Sequence, residues 1–308
     1  MYRQHFGLQE LPFSLTPDPE FFYGHPGHQE ALNVLLVALQ GGEGFIKITG
    51  EVGTGKTLLC RKLLNSLDAG FCTAYLPNPL LAPFELYQAL AREFGLQVPA
   101  TATLHDLLKQ LTETLVALHR QGRRAVLCID EAQAMPVESL EALRLLSNLE
   151  TEKFKLLQIV VFAQPEFNVL LDGDGLRQLR QRITFNYALP PLDRDGVAGY
   201  VAHRLRIAGY RGLPLFTPKA LEALARASRG VPRLVNILCH KGLLAGYGAG
   251  VRSIDVPQVK AAIRDTAELL EQRSGVSRLG GEALYRWLGV ATAVECGVLV
   301  WLAWRVLS

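Results

Sequence analysis

The eight residues Gly50-Glu51-Val52-Gly53-Thr54-Gly55-Lys56-Thr57 constrain this chain more than any other stretch, because they fit the pattern GxxxxGK[ST] in full. Their glycines let a loop curl until successive backbone N–H groups point inward at an anion, and a helix starting beside them adds its positive end. The flanks suit that geometry: Phe45 to Thr49 reads as a short apolar strand, and helix follows from Lys56. Lys56 would bridge the β- and γ-phosphates of a nucleotide, and the Thr57 hydroxyl would hold Mg²⁺.

Further short apolar runs follow at Thr73 to Leu76, Ala125 to Asp130, Leu156 to Ala163 and Ile183 to Leu189. Helical spacing is predicted over Gln29 to Leu39, Pro83 to Phe94, Leu104 to Arg120 and Leu140 to Leu149. Five such strands with helices between them imply an α/β fold, a five-stranded parallel sheet covered on both faces. The third strand ends in Asp130-Glu131, placing two carboxylates at the carboxyl edge where open α/β sheets keep their ligand crevice. Asp130 would orient Mg²⁺ and Glu131 would polarise the attacking water as general base. From about Asp193 the strand signals stop. Helices are expected at Val197 to Ala208, Pro218 to Arg229, Pro232 to Tyr247 and Pro257 to Glu271, which form a second, all-helical domain. The boundaries read 1–192, 193–271 and a linker over 272–286.

Composition narrows the partners. The 32 basic and 29 acidic residues leave a net charge of +3, too little for a global electrostatic case for nucleic acid. Five cysteines lack CxxC spacing and the seven histidines show no ligand pattern, so neither a disulfide framework nor a transition-metal site is expected. The N-terminus has no signal-peptide core, which keeps the bulk of the chain in the cytosol.

The segments GEVGTGKT, LCIDEAQ, LRLLSNLE, VVFAQPE, LRQLRQRI and GVPRLVN, in that order, resemble the AAA+ ATPases of the general-secretion and MSHA-pilus accessory type. The opening FGLQELPFSLTPDPEFFYGHPGHQEAL resembles that family's N-terminus, and the likeness runs from about Met1 to Leu270. It implies an AAA+ P-loop NTPase αβα sandwich with a helical lid, ATP and Mg²⁺ as ligands, and a homo-oligomer. Gly50, Glu51, Val52, Gly53, Thr54, Gly55, Lys56, Thr57 and Asp130 would then bind nucleotide, with Thr57 and Asp130 on the metal. Gln164, ending the fourth strand, resembles the sensor-1 residue that contacts the γ-phosphate or lytic water, where many relatives have Asn, Ser or Thr. Arg182 resembles the arginine finger that reaches a neighbouring subunit's ATP, with Arg177 and Arg180 competing for the role. Arg233 resembles sensor 2, and Phe21, Phe22, Tyr23 and His25 sit where such chains wrap the adenine or else pack into the core.

The resemblance implies an ATPase that helps assemble or export a pilus or secretion apparatus at the bacterial inner membrane, with that apparatus's inner-membrane components as partners. Similar modules serve DNA transposition; the low net charge and an apolar C-terminus argue against that client. A nucleotide-binding scaffold with little turnover is a third reading, which intact Lys56, Asp130 and Glu131 oppose. That C-terminus, Trp287 to Trp304, is eighteen residues with tryptophans at its ends, Arg273, Arg278 and Arg286 before it and Arg305 after it. It reads as a transmembrane helix over 287–305, binding lipid and leaving the ATPase in the cytoplasm, although Glu295 within it costs on the order of 3 kcal/mol. Chains that this one resembles often continue past their span into a periplasmic cell-wall-binding domain; this sequence stops at Ser308, so no wall-binding activity is carried over.

Overall fold

The computed structural model describes residues 2–99, 101–152 and 154–267. The expected linker and the span from Trp287 to Trp304 lie outside them. Among the described residues, no helix is long and apolar enough to cross a membrane.

Five strands form one sheet: β1 (Phe45–Thr49), β2 (Phe71–Leu76), β3 (Arg124–Ile129), β4 (Leu157–Ala163) and β5 (Phe185–Ala188). Their order is β2-β3-β4-β1-β5 and every neighbouring pair is parallel. In β3 the period of two is explicit. Ala125, Leu127 and Ile129 enter one apolar core, and Val126 and Cys128 enter another on the opposite face. The first core is closed by α4 (Pro83–Glu93), α5 (Leu104–Arg120), α6 (Val137–Leu146), α7 (Glu166–Leu171) and α8 (Arg177–Arg182). The second is closed by α2 (Pro26–Gly41) and α3 (Lys56–Ser66), while α1 (Tyr2–Phe6) packs elsewhere. Coverage on both faces holds for the three central strands; β2 and β5 are edges, and in β5 Asn186 and Ala188 are exposed. An edge strand has a neighbour on one side only, so fewer crossover helices lie over it. The sequence pattern gave no sign of α1, α7 or α8, which run one to two turns and are too short to show a period.

The helical domain comprises α9 (Arg194–Ile207), α10 (Pro218–Ser228), α11 (Pro232–Gly248) and a helix described over 256–267. Thr217 caps α10 by accepting from the Ala220 N–H, with Pro218 in the first turn, as its sequence predicts. The core of this domain also takes Tyr2, Phe6, Leu8, Phe13 and Phe21 from the far N-terminus. Buried Arg204 of α9 ties that segment down: Nε donates to the Pro12 carbonyl at 2.5 Å, Nη2 to the Ser14 carbonyl at 3.2 Å, and the guanidinium lies 4.3 Å from the Phe21 ring centre. The chain leaving β5 meets the turn before α11, where the Leu192 N–H donates to the Gly230 carbonyl at 2.9 Å. Gly230 has φ +72°, and a Cβ there would stand 1.9 Å from the Leu192 carbonyl oxygen. Only glycine permits this approach, which sets the amino end of α11 over the end of β1.

Candidate nucleotide site

The loop after β1 is rooted on β4, since the Gly50 N–H donates to the Ala163 carbonyl at 3.2 Å. Gly53 (φ +81°) and Gly55 (φ +101°) take the left-handed turns that curl it. The helical domain closes on it directly. The Arg233 N–H donates to the Gly53 carbonyl at 3.1 Å, and a Cβ on Gly53 would fall 2.5 Å from that of Arg233.

Lys56 opens α3 with only 4% exposure. Its Nζ donates to the carbonyls of Gly50 at 2.8 Å and Glu51 at 3.1 Å. Burial lowers its pKa, and the carboxylates of Glu131, Asp130, Glu51 and Glu166 oppose that fall. Asp130 is likewise buried, which raises its pKa, while bonds from the Thr57 hydroxyl and the Glu131 N–H favour its anion. Thr57 and Asp130 therefore set a hydroxyl and a carboxylate side by side, a hard-oxygen pair of the kind Mg²⁺ prefers. The donor set fits that ion.

Glu131 follows with φ +53°, a left-handed conformation that costs a residue bearing a Cβ about 1–2 kcal/mol. Its Oε2 accepts from Gln164 Nε2 at 2.9 Å and from Gln133 Nε2 at 2.5 Å. Gln164, expected at a γ-phosphate or lytic water, thus lies at the end of β4 against the expected base.

A cavity of about 380 Å³ lies between the two domains, within the size range of small-molecule sites. The loop from Val52 to Leu58 forms its floor with Glu131 beside it, Arg233 and Asn236 of α11 line the helical side, and Ser14 to Asp18 close the far end. Of the aromatic residues near the N-terminus, Phe22 and Tyr23 line this cavity, whereas Phe21 is buried under Arg204. His25 instead meets Asp193, the N-cap of α9, at 3.4 Å.

Arg182 is placed apart. It shares a hollow with Gly42, Gly44, Lys155 and Thr184, residues at the amino ends of β1, β4 and β5, opposite the loop that follows β1. Arg180 pairs with Asp172, and Arg177 is exposed at the start of α8.

Two residues with no role in the sequence reading stand here. His28 of α2 places Nε2 2.8 Å from the Thr54 carbonyl, so that nitrogen carries the proton, and a Cβ on Gly55 would touch the same ring. Its Nδ1 is buried without a hydrogen-bond partner among the described residues. Nothing local marks it, since it falls on the buried stripe of an amphipathic helix with Ala31, Leu32 and Leu35. Gln133 was visible within LCIDEAQ, but only the fold turns its amide back onto Glu131.

Residues 39–171 match the AAA domain family. Over 279 residues, 91% of this chain and 51% of the relative, the sequence is 43% identical to General secretion pathway protein A of Aeromonas hydrophila. It is 26% identical over 198 residues to ORC1-type DNA replication protein 1 of Archaeoglobus fulgidus, covering 59% of this chain and 47% of that one. The chain thus spans about half the length of the curated relatives it matches. Among solved structures, the Aeropyrum pernix ORC2 protein in its ADPNP-ADP complexes aligns with a TM-score of 0.61 at 17% identity, covering 83% of this chain and 71% of that one, which is a likeness of fold.

Burial lowers the pKa of His28, and also those of His203 and His240. As the pH falls through the ordinary histidine value of about 6.5, the unfolded chain takes up protons on these rings before the folded one does. Their contribution to stability is therefore full above that pH and is lost below it. The melting temperature should fall between about pH 7.5 and 5.5, and His28→Gln should flatten part of that decline. An unchanged slope in the variant would show that burying the His28 ring does not couple to folding.

Proposed function

We propose that this chain, in which residues 39–171 match the AAA domain family and which is 43% identical to General secretion pathway protein A over 279 residues, is a Mg²⁺-dependent ATPase working as a motor or switch in assembling or exporting a type II secretion apparatus or an MSHA-type pilus. The observation that carries the reading is the convergence of Lys56, Thr57, Asp130 and Glu131 within or beside the phosphate loop under a helical domain that adds Arg233. Backbone N–H groups of the loop and the Lys56 ammonium bind the phosphates. Thr57 and Asp130 hold Mg²⁺, which when bound neutralises charge on the phosphate oxygens. Glu131 takes the proton of the attacking water, Gln164 orients the carboxylate or the water, and Arg233 brings positive charge from the lid. Arg182 lies beyond the reach of its own cavity, which supports a role on a neighbouring subunit's nucleotide in a homo-oligomer. The segment from Trp287 to Trp304 anchors the chain in the inner membrane with the ATPase on the cytoplasmic side, and inner-membrane components of the apparatus are its partners.

Lys56→Ala should abolish nucleotide binding, and Glu131→Gln should retain binding while turnover falls about 100-fold or more, read by fluorescent-ATP titration and phosphate release. Wild-type affinity in the first or wild-type turnover in the second would remove that residue's role. Arg182→Ala should bind ATP yet hydrolyse it slowly, and mixing it with Lys56→Ala subunits should restore part of the activity, because a subunit unable to bind ATP still donates its arginine. No gain on mixing would move the role to Arg177 or Arg180. Carbonate extraction of membranes should leave the full chain in the pellet, and deletion of 286–308 should release it; full-length protein in the extracted supernatant would rule out the anchor.

A further inference from the structure

We infer that Gln133 is the positioning residue of the hydrolytic site, gripping one oxygen of the Glu131 carboxylate so that the other faces the cavity. The inference deepens the reading of Glu131 as general base and rests on it.

One hydrogen bond of Gln133 has a polarity that admits a single assignment. Oε1 of Gln133 lies 2.9 Å from the backbone nitrogen of Gln164, and a backbone N–H can only donate. The amide's oxygen is thereby assigned, and its nitrogen must turn the other way. What it meets there is Glu131 Oε2 at 2.5 Å. The Gln164 side chain donates to the same oxygen at 2.9 Å. Both amides thus converge on Oε2, and among the described residues no hydrogen bond reaches Oε1. Glu131 lines the cavity above the phosphate loop.

The backbone explains how a residue two places on can act in this way. Glu131 is left-handed, and Ala132–Ala134 make a single 3₁₀ turn directly after it. The Ala134 N–H donates to the Glu131 carbonyl at 2.9 Å, closing that turn. It folds the Gln133 side chain back onto Glu131, two residues earlier, and aims the amide at the gap between the ends of β3 and β4. Gln133 therefore does two things at once: its oxygen braces β4 through Gln164, and its nitrogen fixes the carboxylate of β3's end. A general base must be held within hydrogen-bond reach of the proton it removes, and misplacement by about 1 Å can cost about 100-fold in rate. A carboxylate on a two-bond stem has rotamers to lose, and two donors on one oxygen select among them.

The purified full-length chain tests this with variants that separate the brace from the grip. Gln133→Leu removes both functions, whereas Gln133→Glu keeps an acceptor for the Gln164 N–H but replaces the donor facing Glu131 with a second carboxylate oxygen. Both should lower kcat about 10- to 100-fold, with the KM for ATP and the affinity for fluorescent ATP changed less than about twofold. Adding either substitution to Glu131→Gln should cause no further loss, because a residue that acts through Glu131 has nothing left to position. Melting temperatures establish that each variant is folded; should Gln133→Leu unfold, Gln133→Glu alone decides. Wild-type kcat in Gln133→Glu would reduce Gln133 to a structural brace and overturn the inference, as would a loss that multiplies with that of Glu131→Gln. Wild-type turnover in Glu131→Gln by itself would sink the general-base reading, and the role of Gln133 with it; normal kcat in the Gln133 variants beside an inactive Glu131→Gln would sink only the inference.

Discussion

The Lys56 ammonium, nearly closed off from water, is the charge around which the rest of this structure is arranged. A buried cation is unfavourable unless polar groups surround it. The chain answers from three places: the Gly50 and Glu51 carbonyls turned inward by the loop, the Asp130 and Glu131 carboxylates at the end of β3, and Glu166 at the start of α7. Those places come together only if β3, β4 and β1 are neighbours in a parallel sheet with their carboxyl ends level. The strand order, which sends the chain from β1 out to β2 and back, is thus tied to the electrostatics of one ammonium group. The same crowding acts on Asp130, whose burial favours its protonated form while Thr57 and a backbone N–H favour the anion. A hard cation between Thr57 and Asp130 would tip that balance toward the charged form.

The second domain acts on this centre through contact rather than through charge alone. The amino end of α11 touches the loop at Gly53, and the turn before it is locked against the chain leaving β5 by a glycine that admits no side chain. The N-terminal segment crosses the seam in the other direction, burying Tyr2, Phe6, Leu8 and Phe13 in the helical core before α2 returns to the sheet. Arg204 holds that crossing by bonding carbonyls of residues 12 and 14 and stacking on Phe21. The cavity is therefore walled by the N-terminal segment at Ser14 to Asp18 and by the helical domain at Arg233 and Asn236. Any motion of the helical domain on the sheet would change the shape of the loop's surroundings, since Arg233 and Asn236 belong to that side, while the Ser14 to Asp18 segment is held by Arg204 at Ser14 and by Arg61 of α3 at Pro17.

The elements legible in the sequence were those with enough length to show a period or a motif. All five strands and the long helices fall where apolar spacing puts them, and α5 matches residue for residue, from Leu104 to Arg120, because Thr103 and Asp106 make a capping box at its start. The placement of Gly50 to Thr57 between β1 and α3, and of Asp130-Glu131 at the end of β3, was legible for a related reason: each is a contiguous stretch next to an element with a clear apolar pattern. The one- and two-turn helices were not, and neither was the side that each edge strand leaves open.

What the sequence alone determined is the α/β class, the five strands, the glycine-turned loop between β1 and α3 and the run of helices after β5, since each rests on patterns among residues a few positions apart. Only the tertiary structure decided the fate of single polar side chains. His28 sits under Thr54, Gln133 and Gln164 converge on one oxygen of Glu131, Arg182 stands at the opposite edge of the sheet, and Arg204 turns toward the N-terminal segment. These residues meet across separations of up to 192 positions, and several of their partners, such as the Thr54 and Pro12 carbonyls, are backbone groups that every residue type offers alike. A pattern of residue types carries no mark of which carbonyl will face which donor; that is set by packing the two faces of the sheet and docking the helical domain onto one end of it.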